Sequence, residues 1–272
     1  MAQGKKAWDG VFTIPVPERA RKPRTVGWTM VIDKVLGLGQ TTDLMSAAKD
    51  YIDVVKLTFG TSAFFDYDLL KNKVQIITGA GVYCMPGGTF QEIAVWQGMF
   101  DRYLERAREL GFNAIEISDG TIEMDRPTRT RVITQAVKAG FRVISEVGKK
   151  DPQDALKMGT MADEAMHDLS LGAFKVLVEA REAGKGVGIY DADGKPKEDD
   201  VEELLRGVKN PDDLIWEAPI TAQQRYLVLR FGPNVSLGNV APEDILALEA
   251  LRCGMRGDTL KKAWLARREW KG

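Results

Sequence analysis

The side chains able to carry chemistry in this chain of 272 residues are lysines and carboxylates, because histidine is nearly absent. The one histidine, His167 in MADEAMHDLSLGA, has acidic neighbours on a helical pattern and reads as a surface helix residue. A Ser–His–Asp hydrolase and a histidine-rich zinc site are therefore disfavoured. Acid–base work falls to Lys, Asp, Glu or Tyr, tuned by burial and neighbours. Two charges interrupt otherwise apolar runs, Lys56 in VVKLTF and Glu116 in AIEIS. A charge inside an apolar strand costs free energy unless it is paired or used. Each alone has a plain alternative, a structural buried pair. The aggregate is harder to explain that way, because run after run ends in polar residues. These are Asp33 and Lys34; Lys56; Glu116, Ser118 and Asp119; Ser145, Glu146, Lys149 and Lys150; Glu179, Arg181 and Lys185; Glu217; and Asn239 beside Gly238. Such a mixture suits a small anionic, phosphate-bearing substrate with a divalent cation. Carboxylates hold Mg²⁺ alongside substrate oxygens, Lys and Arg neutralise phosphate and carboxylate groups, and glycines near the last strand suit backbone N–H binding of phosphate.

The elements that must position these residues follow from pattern. Eight short β-branched or apolar runs recur at Thr25–Asp33, Asp53–Gly60, Val82–Gly88, Asn113–Gly120, Phe141–Gly148, Phe174–Ala180, Asp213–Pro219 and Asn234–Val240. Near-continuous apolar runs are the mark of buried parallel strands. Helical spacing intervenes at Thr42–Asp50, Leu69–Thr78, Gln91–Leu110, Thr128–Ala139, Met161–Leu171, Asp199–Leu205, Thr221–Arg230 and Pro242–Arg252. Eight βα units in a chain of this length predict an α/β fold of the (β/α)₈ TIM-barrel type, with active residues at the C-terminal ends of the strands. An open doubly wound sheet is the alternative, but GLGQTT after the first run lacks the spacing of a dinucleotide fingerprint or a P-loop. The expected organisation is one barrel domain over residues 1–272, with short extensions at 1–22 and 255–272. The second extension carries Trp264 and Trp270 and is a candidate subunit contact, so a homo-oligomer is an open expectation.

Bulk composition narrows the partners. With 38 basic against 39 acidic side chains, the chain is a poor match for nucleic acid or an anionic membrane surface. Cys84 and Cys253 form no metal-ligand pair or disulfide framework, which suits a reducing compartment. No long apolar run predicts a membrane span and no apolar run follows MAQGKKAWDG, so the expectation is a cytoplasmic protein.

At these same residues the chain resembles a known family. KPRTVGWTMVIDK, KLTFGTS, PGGT, LGFNAIEISDGTI, ISEVGKKDP, VEAREAGKGVGIYD, WEAP and FGPNVSLGNVAPEDILALEALRCGMRGDT follow in order from about Lys22 to Thr259. They look like the motifs of the phosphosulfolactate synthases. The resemblance implies a (β/α)₈ barrel that adds sulfite to phosphoenolpyruvate with Mg²⁺, a carbon–sulfur lyase-type reaction giving (2R)-phospho-3-sulfolactate, the entry to coenzyme M biosynthesis in archaea. Carried onto this sequence, it suggests Lys149, then Lys56 and Lys34, as the proton donor. Glu116, Asp119 and Glu146 become candidate Mg²⁺ ligands. Arg24, Arg181, Lys185, Ser118, Gly238 and Asn239 become candidate substrate contacts. Val35, Thr58, Met85 and Ser236 depart from the family pattern. Two alternatives stay open: a related barrel joining phosphoenolpyruvate to another nucleophile, and a non-catalytic stress or interaction relative.

Overall fold

A parallel strand can be rejoined to its neighbour only through a crossover, so runs of apolar residues alternating with helices wind in one direction. The computed structural model describes residues 5–181 and 183–269. Its strands are β1 (Thr29–Asp33), β2 (Val54–Leu57), β3 (Tyr83–Pro86), β4 (Ala114–Ile117), β5 (Arg142–Val147), β6 (Lys175–Val178), β7 (Leu214–Glu217) and β8 (Leu237–Val240). Each falls inside one of the eight expected runs. The pairings between these strands are parallel, in the order β3-β2-β1-β8-β7-β6-β5-β4. The two end strands of that order adjoin, and at this seam the Asn113 side-chain oxygen accepts from Cys84 N at 2.8 Å. The result is a nearly closed (β/α)₈ barrel.

Around it lie α1 (Leu38–Ala48), α2 (Tyr67–Gly79), α3 (Gly88–Trp96), α4 (Phe100–Leu110), α5 (Arg126–Lys138), α6 (Met158–Ser170), α7 (Glu198–Gly207), α8 (Thr221–Phe231), α9 (Ile245–Arg252) and α10 (Gly257–Glu269). The single helix expected over Gln91–Leu110 is two. Gly98 takes the left-handed conformation (φ +67°) between them, and α3 turns independently against the end of β4. Gly111 closes α4 in the left-handed conformation, as its position predicts. The C-terminal extension, expected only as a flank, carries α10 with Trp264 half exposed. Trp270 lies outside the described residues. His167 is half-buried on α6, its Nε2 3.0 Å from the Thr130 hydroxyl. Among the described residues no helix is long and apolar enough to cross a membrane.

Strand period two divides each strand between an outer and an inner face. Val31, Val55, Ile115, Val147, Val178 and Trp216 face outward into the core beneath the helices. Met30, Val54, Ala114, Ile144, Leu177 and Ile215 face inward and form an apolar plug with Trp28 and Met85. Advancing two residues along the same strands gives Ile32, Lys56, Glu116, Glu146, Glu179 and Glu217. The barrel interior therefore changes from hydrocarbon to charge within one repeat.

Candidate active site

The charged layer surrounds a cavity of about 280 Å³ at the C-terminal ends of the strands. Lys56 Nζ lies 2.9 Å from Glu116, 3.4 Å from Glu146 and 3.4 Å from Glu217. Lys150, just beyond β5, lies 3.1 Å from Glu146 and 3.5 Å from both Glu92 and Glu179. Ser118 Oγ is 2.8 Å from Glu146 and 3.0 Å from Glu92. The Glu217 carboxylate accepts from Ala180 N at 3.0 Å, and the Glu179 carboxylate accepts from Arg181 N. Five buried carboxylates thus face two lysines.

That imbalance sets the protonation states. Burial, reinforced by the charge of Glu146, pushes Glu116 up to about 8 against the pull of Lys56. Burial and the Glu146 and Glu217 charges hold Glu179 well above the usual carboxylate range, and burial raises Glu217 as well. Glu146 goes the other way. Burial opposes its ionisation, but the Lys150 and Lys56 ammonium groups hold it well below the ordinary value. Its neighbours raise both lysines despite their burial.

Four further features mark the cavity. Phe59, Arg181 and Asn239 line it, and they are the non-glycine residues with left-handed φ (54°, 59° and 53°) among those described. Backbone strain of this kind persists where surrounding structure enforces it, and it gathers at functional sites. Gly88 allows the start of α3 to press on the charged layer, since a Cβ there would stand 2.6 Å from Glu116 Oε1 and 2.7 Å from Ser118 Cβ. Carboxylate oxygens of Glu146, Glu179 and Glu217 lie within 4.8 Å of one another. Glu116 Oε2 and Asn239 Oδ1 are buried without a hydrogen-bond partner. An all-oxygen, negatively charged donor set fits a hard divalent cation such as Mg²⁺ better than a soft one.

The comparisons with known proteins converge on this barrel. Residues 17–258 match the family model for (2R)-phospho-3-sulfolactate synthase (ComA). The chain belongs to the phosphosulfolactate synthase family. It is 44% identical over 253 residues to the phosphosulfolactate synthase of Methanothermobacter thermautotrophicus, covering 92% of this chain and 98% of that one. With the phosphosulfolactate synthase of Methanocaldococcus jannaschii the identity is 41% over 239 residues, covering 87% of this chain and 94% of that one. In fold alone it is similar to dihydrodipicolinate synthase from Agrobacterium tumefaciens, with TM-score 0.52 and 11% identity over 90% of this chain and 79% of that one.

Within the family motifs, the structure separates the expected residues. Lys56, Glu116, Arg181 and Asn239 line the cavity, and Glu146 and Ser118 stand just behind them, Glu146 paired with Lys56 and bonded by Ser118. Asp119 and Lys149 do not line it. Both turn away behind the wall, where Lys149 Nζ lies 3.0 Å from the Asp119 carboxylate and donates to its carbonyl at 2.7 Å. Arg129 of α5 takes the other Asp119 oxygen at 3.0 Å. Lys34 is exposed at the end of β1, and its neighbour Asp33 is committed to Lys73 of α2 at 2.7 Å. Lys185 is exposed on the loop after β6, outside the cavity lining. Arg24 precedes β1 and pairs with Asp53 at 2.7 Å, which puts it at the opposite end of the barrel. Gly238 belongs to the apolar plug, where a Cβ would stand 2.9 Å from Met30. It makes room for packing there.

The carboxylates that sequence reading left without a role are Glu92, Glu179 and Glu217. The last two were visible as strand ends, whereas Glu92 sits on a helix with no signal to distinguish it. Of the four departures from the family pattern, Thr58 reaches the cavity. Met85 lies in the plug, Val35 is exposed, and Ser236 accepts from Trp28 N.

Proposed function

We propose that this chain adds sulfite to phosphoenolpyruvate, giving (2R)-phospho-3-sulfolactate, in a reaction that depends on Mg²⁺. The observation that carries the reading is the charged layer itself, the buried Lys56 and the partly exposed Lys150 amid five buried carboxylates at the C-terminal end of a barrel in this family. Glu146, Glu179 and Glu217, with Glu116 adjacent, would hold Mg²⁺. When bound, the ion supplies positive charge against the negative charge that builds on the substrate carboxylate. Lys56 adds to that electrostatic stabilisation from its fixed position. Arg181 and Asn239, at the rim, are suited to the phosphate or the incoming sulfite.

The bonds change as follows. The sulfur lone pair of sulfite attacks C3 of phosphoenolpyruvate and forms the C–S bond. The C2–C3 π pair moves onto C2, delocalised into the carboxylate as an enediolate-like species. The Lys150 ammonium then delivers a proton to C2 and regains one from solvent. Lys150 takes this role from Lys149 because it, and not its neighbour, lines the cavity.

The test is a mass-spectrometric product assay with phosphoenolpyruvate, sulfite and Mg²⁺, with and without EDTA. The expected result is an adduct that EDTA abolishes. Mg²⁺-dependent binding of phosphoenolpyruvate without an adduct would replace sulfite by another nucleophile. Neither binding nor product would leave the non-catalytic reading.

A further inference from the structure

We infer that Glu92 is a positioning residue that anchors the β4–α5 loop through one carboxylate oxygen and orients Lys150 through the other, with Ser118 between them. The inference rests on the proposed role of Lys150. Glu92 sits on α3, is 1% exposed, and does not line the cavity. Its Oε2 accepts from Thr121 N and Ile122 N, both at 2.9 Å, at the point where the chain leaves the barrel after β4. Its Oε1 lies 3.0 Å from Ser118 Oγ and 3.5 Å from Lys150 Nζ. The preceding residue, Gln91, takes Ser118 N on its side-chain oxygen at 2.8 Å. Two consecutive side chains of one helix therefore grip the end of β4, one by its main chain and the other by its hydroxyl.

The Ser118 hydroxyl couples Glu92 to the reacting lysine. Ser118 Oγ accepts from Gly120 N at 3.1 Å and from Lys150 Nζ at 3.3 Å. It has one proton to give, with Glu146 Oε1 at 2.8 Å and Glu92 Oε1 at 3.0 Å as the acceptors. Whichever carboxylate the hydroxyl leaves keeps its full acceptor strength for Lys150. Loop anchoring alone does not explain the charge. A neutral amide oxygen suffices for such work, as Gln91 demonstrates one residue earlier, and burying a carboxylate is the more expensive choice. The second oxygen, turned to Ser118 and Lys150, is what a glutamine could not supply.

Glu92→Gln separates the two roles, because its carbonyl oxygen can still accept from Thr121 and Ile122 while an NH₂ replaces the oxygen facing Lys150. The expected result is a kcat for adduct formation lowered about tenfold to a hundredfold, an unchanged KM for phosphoenolpyruvate, and a melting temperature close to that of the wild type. Glu92→Ala, which loses both roles, should also melt lower. An independent readout is the ¹⁵N resonance of the Lys150 ammonium group, assigned by its loss in Lys150→Arg, which should shift or broaden in Glu92→Gln. Wild-type kcat with an unmoved Lys150 resonance would overturn the inference. So would a Glu92→Gln protein that melts as low as Glu92→Ala and loses activity only in proportion to its folded fraction. If the wild type forms no sulfite adduct, the reaction assignment fails, while the Lys150 resonance still decides whether Glu92 orients that lysine.

Discussion

Two clusters of buried charge flank the end of β5, and they differ in balance. Behind the wall, Arg129 lies 2.5 Å from Asp168 and 3.0 Å from Asp119, while Lys149 lies 3.0 Å from Asp119. Two cations face Asp119, Asp168 and the partly buried Glu164 of α6, whose carboxyl pKa is raised by burial, and Arg129 also donates to the Glu146 carbonyl at 2.8 Å. Inside the barrel, Lys56 and Lys150 face Glu92, Glu116, Glu146, Glu179 and Glu217. The first cluster is closer to balance, two cations against three carboxylates, and ties α5 and α6 to the strand ends. The second carries surplus negative charge, which protons or a cation must offset. Buried charge by itself therefore does not distinguish the cavity from its surroundings. The larger negative surplus does.

The sharpest way to break this comparison is to remove one lysine from each cluster. Lys150→Met should lower the rate of adduct formation by about 10²- to 10⁴-fold, whereas Lys149→Met should keep it within about threefold and melt at a lower temperature. The reverse order would move the chemistry behind the wall. Next in size is Arg129→Met, which leaves Asp168 and Asp119 buried with reduced compensation. Urea unfolding should register a loss of about 3–5 kcal/mol. A loss near zero would show that the outer cluster is not holding the strand ends.

A smaller effect should appear with pH. In EDTA the folded chain retains a proton on Glu116 that the unfolded chain releases. Its stabilising contribution is therefore complete below about 4.5 and lost as pH rises towards about 8. The groups facing Glu116 are Lys56, Glu146 and Tyr103, with Glu179, Glu217 and Lys150 around them. Glu146, depressed by the lysines, acts in a separate window, losing its contribution as pH falls below the ordinary carboxylate range. Calorimetric melting in EDTA should thus show stability falling from about pH 5 to 8, by at most about 1.4 kcal/mol per pH unit and a few kcal/mol in all. Saturating Mg²⁺ should flatten that slope, and a flat profile in EDTA would mean the inner surplus is already compensated.

The sequence by itself determined the eight strands, because apolar runs bounded by polar residues and separated by helical spacing have few other ways to bury both faces. It also put Lys56, Glu116, Glu146, Glu179 and Glu217 at strand ends, while the strand register brought them into one layer. Each stands two residues beyond an inward apolar residue, and strand alternation is strict. Only the tertiary structure decided which of the adjacent residues Lys149 and Lys150 enters the cavity. The two follow Gly148, whose φ of +115° takes the chain out of the strand and ends the alternation that made the rest readable. Likewise only the fold brought Arg129 from α5 to claim Asp119, and Glu92 from α3 to meet Ser118. Neither contact follows from the local pattern around either partner, since both depend on how separate helices dock against the strand ends.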